Sequence, residues 1–310
     1  MQLTFLGTGS GVPSKRRNVS SLALSMLQER DEIWLFDCGE ATQHQILNST
    51  IKPRKISKIF ITHMHGDHIY GLPGLLSSRS FQEGTSPVEI YGPPRLKEFI
   101  ELSLKVSETR LKYDLIFRSI NENILFEDQH IQVSSIRLKH GVPSFGFLIQ
   151  EKDSVGPLIP EKLKERGIKP GPIYQEIKNN REVSLPDGTN IKRDEVTGDP
   201  IPGRKVSILG DTHALDDIVD YIYDSDVLIH EATFIKEDHE LAHQYFHSTS
   251  EQAANLAKAA NVKELILNHV SSRYVWEDLQ KELKDIKEVF PNTHYAEDFS
   301  TYVIKRRDES

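Results

Sequence analysis

The stretch Lys58-Ile59-Phe60-Ile61-Thr62-His63-Met64-His65-Gly66-Asp67-His68 runs from an apolar segment straight into a cluster of ligand-type residues. Residues 58–62 read as a buried strand. The next six residues supply three imidazoles and a carboxylate. Side chains at these spacings cannot all share one face of a strand or helix. They fit a loop folded around something. Imidazole with carboxylate is the ligand set of zinc or a similar divalent ion. The order His-x-His-x-Asp-His gives two ligand pairs, which suits two adjacent metals. Gly66 permits the tight backbone that such a loop needs.

Working outward, three more residues complete the set. His140 follows the strand-like 131–138, Asp211 follows 206–210, and His269 follows 265–268. Each stands just past an apolar run, where α/β sheets place their sites. Seven ligands divide over two ions: His63, His65 and His140 on one, Asp67, His68 and His269 on the other, with Asp211 bridging. Two ions about 3.5–4 Å apart form a clamp for in-line displacement. An activated water is then the nucleophile, and no side chain need attack. The single cysteine, Cys38, reads as a small buried apolar residue.

The flanking pattern predicts strands at 3–6, 21–26, 33–36, 59–61 and 88–91, with helices at 42–47 and 94–106. Residues 111–150 read as strands. Strands return at 205–209, 226–229, 264–267 and 301–304. A helix at 249–260 has Ser248 or Thr249 as N-cap and Glu251 or Gln252 in the capping-box position. Another helix spans 277–289. Strands in both halves with helices after them imply two packed sheets with helices outside. Residues from 151 to about 205 differ: rich in Pro, Gly and charge, with few buried-type residues and an Asp187-Gly188 hairpin signal. They read as an insertion projecting from the core, with a disordered loop as the alternative.

At 310 residues with 37% hydrophobic content, the chain can build one large core or two small ones. One cysteine excludes an intrachain disulfide and fits a reducing compartment. Residues 1–7 already read as a strand, not a signal peptide. No apolar run approaches the roughly 20 residues of a membrane span. The expected location is therefore cytoplasmic, without a membrane partner. The net charge of −8 gives no overall attraction for nucleic acid. Residues 160–205, however, hold ten Lys/Arg against eight Asp/Glu, a local +2 that leaves −10 elsewhere. A polyanion would be gripped by local basic groups and metals.

Further motifs are Phe5-Leu6-Gly7-Thr8-Gly9-Ser10-Gly11-Val12-Pro13 followed by Arg17-Asn18, and Phe36-Asp37-Cys38-Gly39-Glu40-Ala41-Thr42-Gln43. Others are His230-Glu231-Ala232-Thr233, His247-Ser248-Thr249 and His269-Val270-Ser271-Ser272-Arg273-Tyr274. With the ligand set, these resemble the metallo-β-lactamase superfamily and, more closely, ribonuclease Z, the tRNA 3′-processing endonuclease. The resemblance covers essentially the whole chain, although that family often has Gly at the position of Ala41. It implies an α/β fold, the four-layer αβ/βα sandwich, as one domain over 1–310. The insertion at about 152–205 is then the exosite arm, which holds the tRNA elbow. Two Zn2+ per subunit are implied, with Mn2+ as the other candidate. So is a homodimer in which one subunit's arm presents precursor tRNA to its partner's site. The expected cut falls after the discriminator base, leaving a tRNA 3′-hydroxyl and a trailer 5′-phosphate.

The resemblance also suggests roles. Asp67 would orient or deprotonate the attacking water, and His247 would protonate the leaving oxygen, oriented by Glu231. Arg273 would neutralise the scissile phosphate, since guanidinium matches phosphate oxygens. Asp37 would hold a metal-bound histidine by its free nitrogen. The Gly7–Gly11 loop is no Walker motif, because no Gly-Lys-Ser/Thr follows; its glycines read as close backbone packing. Lys15, Arg16 and Arg17 form a basic run suited to the acceptor end. In the insertion, Lys162, Lys164, Gly171 and Pro172 are candidate tRNA contacts, which position without reading sequence. A rival reading keeps every ligand: another two-metal hydrolase acting on a small phosphodiester or thioester. A second rival is a non-catalytic RNA-binding protein. The insertion and the Arg273 motif speak against the first, the complete ligand set against the second.

Overall fold

The computed structural model describes residues 1–121, 123–185 and 188–307. Two seven-stranded sheets form the larger unit. The first runs Thr301–Val303, Gln2–Gly7, Ser21–Met26, Glu32–Phe36, Ile56–Phe60, Val88–Gly92, Leu115–Ser119. The second runs Thr293–Tyr295, Leu265–Asn268, Val227–Glu231, Lys205–Leu209, Ser144–Glu151, Ile131–Leu138, Ile124–Glu127. Each sheet has an antiparallel part and a block of four parallel strands.

Alternation explains the layering. In Glu32–Phe36, Ile33 and Leu35 point to one face and join Ile59, Ile90 and the helical residues Leu72, Leu75, Leu76 and Ile100. Trp34 and Phe36 point to the other. There Phe147 of the second sheet meets Phe36 at 5.8 Å and Phe60 at 5.4 Å, while Phe126 meets Trp34 edge-on at 5.9 Å. The aromatic layer is thus the glue between the sheets, each ring worth about 1.5–3 kcal/mol when fully buried. Behind the second sheet, Leu228, Leu265 and Leu267 pack on Ala253, Ala254 and Ala257 of helix Ser250–Ala259 and on Leu279 and Ile286 of Trp276–Val289. Helix, sheet, sheet, helix is the expected four-layer sandwich.

Most predicted elements stand within two residues of their expected ends. Thr249 proves to be the N-cap: its side chain accepts from the Gln252 N–H at 3.2 Å, and Gln252 Oε1 accepts from the Thr249 N–H at 2.8 Å. Two features depart from the expected elements. Helix Leu72–Phe81, which carries Pro73 and Gly74, is not among them. Pro73 falls in the first turn, where its missing N–H costs nothing. The ligand loop is not loop throughout either, because Gly66–Ile69 forms a single helical turn carrying Asp67 and His68. At Gly66 a Cβ would stand 2.2 Å from the Tyr70 ring, so a side chain there would push that exposed ring aside. Gly39 serves the same turn from outside: its Cβ would meet Asp67 O at 2.3 Å.

The second unit is made chiefly by Glu151–Arg204. It is not poor in buried residues: Leu163, Ile168, Ile177, Val183, Ile191 and Val196 form its own core. Helices Pro160–Glu165 and Pro172–Asn179 and the antiparallel pair Glu182–Ser184 with Asn190–Lys192 surround it. Gly188 is left-handed, φ 85°, as the hairpin signal requires, while Asp187 lies outside the described residues. Glu151 and Arg204 clamp the two ends of this segment, with Nε–Oε2 2.8 Å and NH2–Oε1 2.7 Å. Burial pushes the Glu151 carboxyl up, but the Arg204 hydrogen bonds and charge outweigh it and the net shift is downward.

Candidate metal centre

The parallel strands of both sheets end at one place. Asp37 follows Phe36, and Thr62 and His63 follow Phe60 from the first sheet. Asp211 follows Leu209, Glu231 closes its strand, and His269 follows Asn268 from the second. The short parallel pair Gly9–Ser10 with Val270–Ser271 ties the glycine-rich loop to the His269 loop. The Gly11 N–H donates to Asp67 Oδ2 at 2.8 Å, so that loop positions a site residue directly.

All seven predicted ligands meet. His63 Nε2 lies 3.1 Å and His140 Nε2 3.2 Å from His65 Nδ1. His269 Nε2 lies 3.3 Å from both His68 Nε2 and Asp67 Oδ2. Asp211 Oδ2 stands between the groups: 3.6 Å from His63 Nε2, 3.9 Å from His140 Nε2, 3.6 Å from His68 Nε2 and 3.3 Å from His269 Nε2. His63, His65, His140 and Asp211 form one set able to hold an ion; Asp67, His68 and His269 form another. His63, His68, Asp211 and His269 are buried, and His65 is exposed, so the cluster opens to solvent on that side.

Neighbours fix which ring nitrogen is free. His63 Nδ1 bonds the Thr62 hydroxyl at 2.9 Å, His68 Nδ1 bonds Asp37 Oδ2 at 2.8 Å, His140 Nδ1 donates to Phe246 O at 2.8 Å, and His269 Nδ1 bonds the Thr233 hydroxyl at 2.9 Å. Both threonine hydroxyls donate onward, Thr62 to Asp37 at 2.9 Å and Thr233 to Glu231 at 2.7 Å. Each of these imidazoles therefore turns Nε2 inward. Lone pairs and anionic oxygens at such separations repel unless a cation sits among them. Ligand atoms about 2.0–2.1 Å from a tetrahedral zinc stand about 3.3 Å apart, which the spacings here match. The donor set fits a divalent metal.

His247 differs. It reaches toward Asp211 through Nδ1, 4.0 Å from Oδ2, but that nitrogen is already bonded to Glu231 Oε1 at 2.8 Å. Burial disfavours its charged form, yet Glu231 outweighs burial by charge and hydrogen bond, and the His247 pKa is pushed up to about 9. Burial likewise pushes Glu231 up, and the His247 charge and hydrogen bond turn the net shift downward. Glu231 also accepts the backbone N–H groups of Thr212 at 2.9 Å and Thr233 at 3.2 Å.

The remaining predicted residues are placed as follows. Arg273 is exposed, its guanidinium 5.1 Å from the Phe234 ring centre. Lys15 and Arg17 line a cleft of about 650 Å³ with Ser271, Tyr274 and Trp276. The Arg17 head, however, is spent inside the protein, bonding Thr8 Oγ1 at 2.7 Å and Ala296 O at 2.5 Å. Lys162, Lys164, Gly171 and Pro172 are exposed and lie in the second unit. Sequence reasoning missed the roles of Thr62 and Thr233. The available signal was a threonine adjoining a ligand, or two residues past a carboxylate, at a strand end.

A family model described as Anti-Pycsar protein Apyc1 matches residues 1–156, the half that carries the ligand loop and His140. The ribonuclease Z of Geobacillus kaustophilus is 52% identical over 306 residues, covering 99% of this chain and 100% of that protein. The chain belongs to the ribonuclease Z family. The crystal structure of human tRNase Z, short form, is 33% identical with TM-score 0.72, covering 98% of this chain and 100% of that one. The metallo-β-lactamase fold protein YhfI of Bacillus subtilis, 18% identical with TM-score 0.67 over 97% and 98% of the two chains, shares the fold. Ribonuclease Z kinship fits the metal-competent cluster, and no helix among the described residues is long and apolar enough to cross a membrane.

Proposed function

We propose that the protein is the endonuclease that removes the 3′ trailer of precursor tRNA. It hydrolyses one phosphodiester and leaves a 3′-hydroxyl on the tRNA and a 5′-phosphate on the trailer. The observation that carries this is the seven-residue cluster in a chain about half identical to ribonuclease Z over its full length. The enzyme is metal-dependent. Two Zn2+ per subunit are the assignment the donor chemistry favours, with Mn2+ as the other candidate; Asp211 would serve both ligand groups. When bound, the ions supply positive charge for the phosphate oxygens and activate the attacking water.

The chain's own residues do the rest. Asp67, held by the Gly11 N–H, takes up the proton of the attacking water. Glu231 holds His247 by Nδ1, which leaves Nε2 to protonate the departing 3′-oxygen. Arg273 meets the phosphate, and Lys15 the chain beside it. Arg17 acts indirectly, by bracing the loop that carries Lys15. The unit of 151–204 serves as the exosite arm, with Lys162, Lys164 and the Gly171-Pro172 turn against tRNA phosphates. That grip is by shape, which suits an enzyme that accepts many tRNAs. A cytoplasmic homodimer, one arm serving the other subunit's site, completes the reading.

The test is cleavage of a 3′-extended precursor tRNA with the product ends mapped, beside Asp67→Ala. A single cut next to the discriminator, lost in the variant, is expected. No cut with zinc or manganese supplied, together with turnover of a small diester, would move the protein to the rival hydrolase reading.

A further inference from the structure

Helix His239–Gln244 ends in a way that costs stability and exposes an aromatic residue beside the site. The His247 N–H bonds Ala242 O at 2.8 Å and the Phe246 N–H bonds His243 O at 3.4 Å. That is the Schellman pattern, and its left-handed position is normally filled by glycine. Here the position is Phe246, at φ 60°. A bulky residue held there is an outlier that structure must enforce. The Phe246 side chain is 47% exposed and Tyr245 is 54% exposed.

The surroundings tie this exposed pair to the reaction. The Phe246 carbonyl accepts from His140, and the next residue is His247. The Phe246 ring packs edge-on against His213 at 5.0 Å, with Gly141 offering no side chain to cover it. Tyr245 lies parallel to Phe234 at 6.4 Å, and Phe234 carries the Arg273 guanidinium. Arg273 and the exposed Tyr245 ring thus meet on Phe234, and the exposed Phe246 ring follows directly in the chain, next to His247. Unpaired nucleotides are held by stacking on such rings, which every base can do.

We infer that Phe246, with Tyr245, stacks an unpaired base of the RNA flanking the scissile phosphate. The inference rests on the tRNA-cleavage reading. Stacking fixes the nucleotide while Arg273 fixes the phosphate, and it imposes no base identity. The backbone strain at Phe246 is the cost of keeping an aromatic ring where glycine would otherwise stand.

The test couples a protein change to a substrate change. Phe246→Gly suits the backbone at that position, so folding is retained. Cleavage by wild type and variant is measured on precursor tRNA and on versions with an abasic nucleotide on either side of the cut. Removing the base is expected to cost wild type about 5- to 100-fold in kcat/KM, the usual range for one base–aromatic stack. At one of the two positions it should cost Phe246→Gly less than about twofold, and Phe246→Trp should behave as wild type. Tyr245→Ala should weaken the same coupling. Equal base dependence in wild type and Phe246→Gly overturns the inference. So does a change in sedimentation of the free Phe246→Gly protein, which would assign the surface to self-association. If wild type cuts no precursor at all, it is the tRNA reading that fails.

Discussion

Each sheet sets one buried carboxylate behind the site's histidines, Asp37 and Glu231, and the two are wired alike except at one end. Asp37, from the first sheet, accepts the N–H of Thr62 at 2.8 Å and its hydroxyl at 2.9 Å; Thr62 in turn bonds His63. Glu231, from the second, accepts the N–H and hydroxyl of Thr233, which bonds His269. Each arrangement includes one left-handed residue, Asp37 at φ 56° and His269 at φ 55°. The difference lies in the second imidazole. Asp37 takes Nδ1 of His68, whose Nε2 joins the cluster. Glu231 takes Nδ1 of His247, the nitrogen that faces Asp211, so the place His247 has beside Asp211 and His269 competes with that bond. The same carboxylate–threonine device therefore holds two imidazoles by Nδ1 in each half, and what separates the halves is that His247, unlike His63, His68 and His269, is proposed to carry a proton. A histidine's role here follows from what occupies its second nitrogen.

That comparison can be broken in order of effect. Asp211→Ala removes the carboxylate that stands between the two ligand groups and is proposed to serve both ions. Activity should fall by about a thousandfold or more, since ion-based charge stabilisation is worth several kcal/mol. Metal content measured by mass spectrometry should fall at both positions; loss at one alone would refute the bridging role. Glu231→Gln should lower kcat by about a hundredfold, the scale of an oriented proton donor, and added zinc should not restore it. Asp37→Asn should instead weaken metal affinity about 10- to 100-fold, with activity recovering as metal is raised. If the two variants respond to metal identically, the two carboxylates are not specialised. The smallest effect is in the turn after Asp37. Ala41 is left-handed at φ 59°, which costs L-residues about 1–2 kcal/mol. Glycine there returns about 0.4–1 kcal/mol through its freer unfolded chain. Ala41→Gly should therefore gain up to about 1 kcal/mol in urea unfolding; destabilisation would contradict the strain.

The sequence carried the ligands because metal chemistry restricts residue type, and His63, His65, His68, His140 and His269 each follow a readable apolar run. Asp37 was legible for the same reason. Thr62 and Thr233 were not, because a threonine at a strand end is common and one partner of each hydroxyl, Asp37 for Thr62 and His269 for Thr233, comes from a strand end elsewhere in the chain. Arg17 looked like a substrate contact in a basic run, and only the fold reveals Thr8 and Ala296 O beneath it. Helix Leu72–Phe81 was hidden by Pro73 and Gly74, whose local preference tertiary packing overrides. The small core at 151–204 was hidden because its six apolar residues are spread thinly through charged sequence.

The most direct test of the central claim uses a precursor tRNA whose scissile 3′-oxygen is replaced by sulfur. A thiolate leaves without needing a proton, so a proton donor becomes dispensable. His247→Ala should lose about 10²–10⁴-fold on the natural substrate and less than about tenfold on the sulfur-bearing one, with metal content unchanged. An equal loss on both substrates would contradict the proton-donor role and make His247 a structural partner of Glu231.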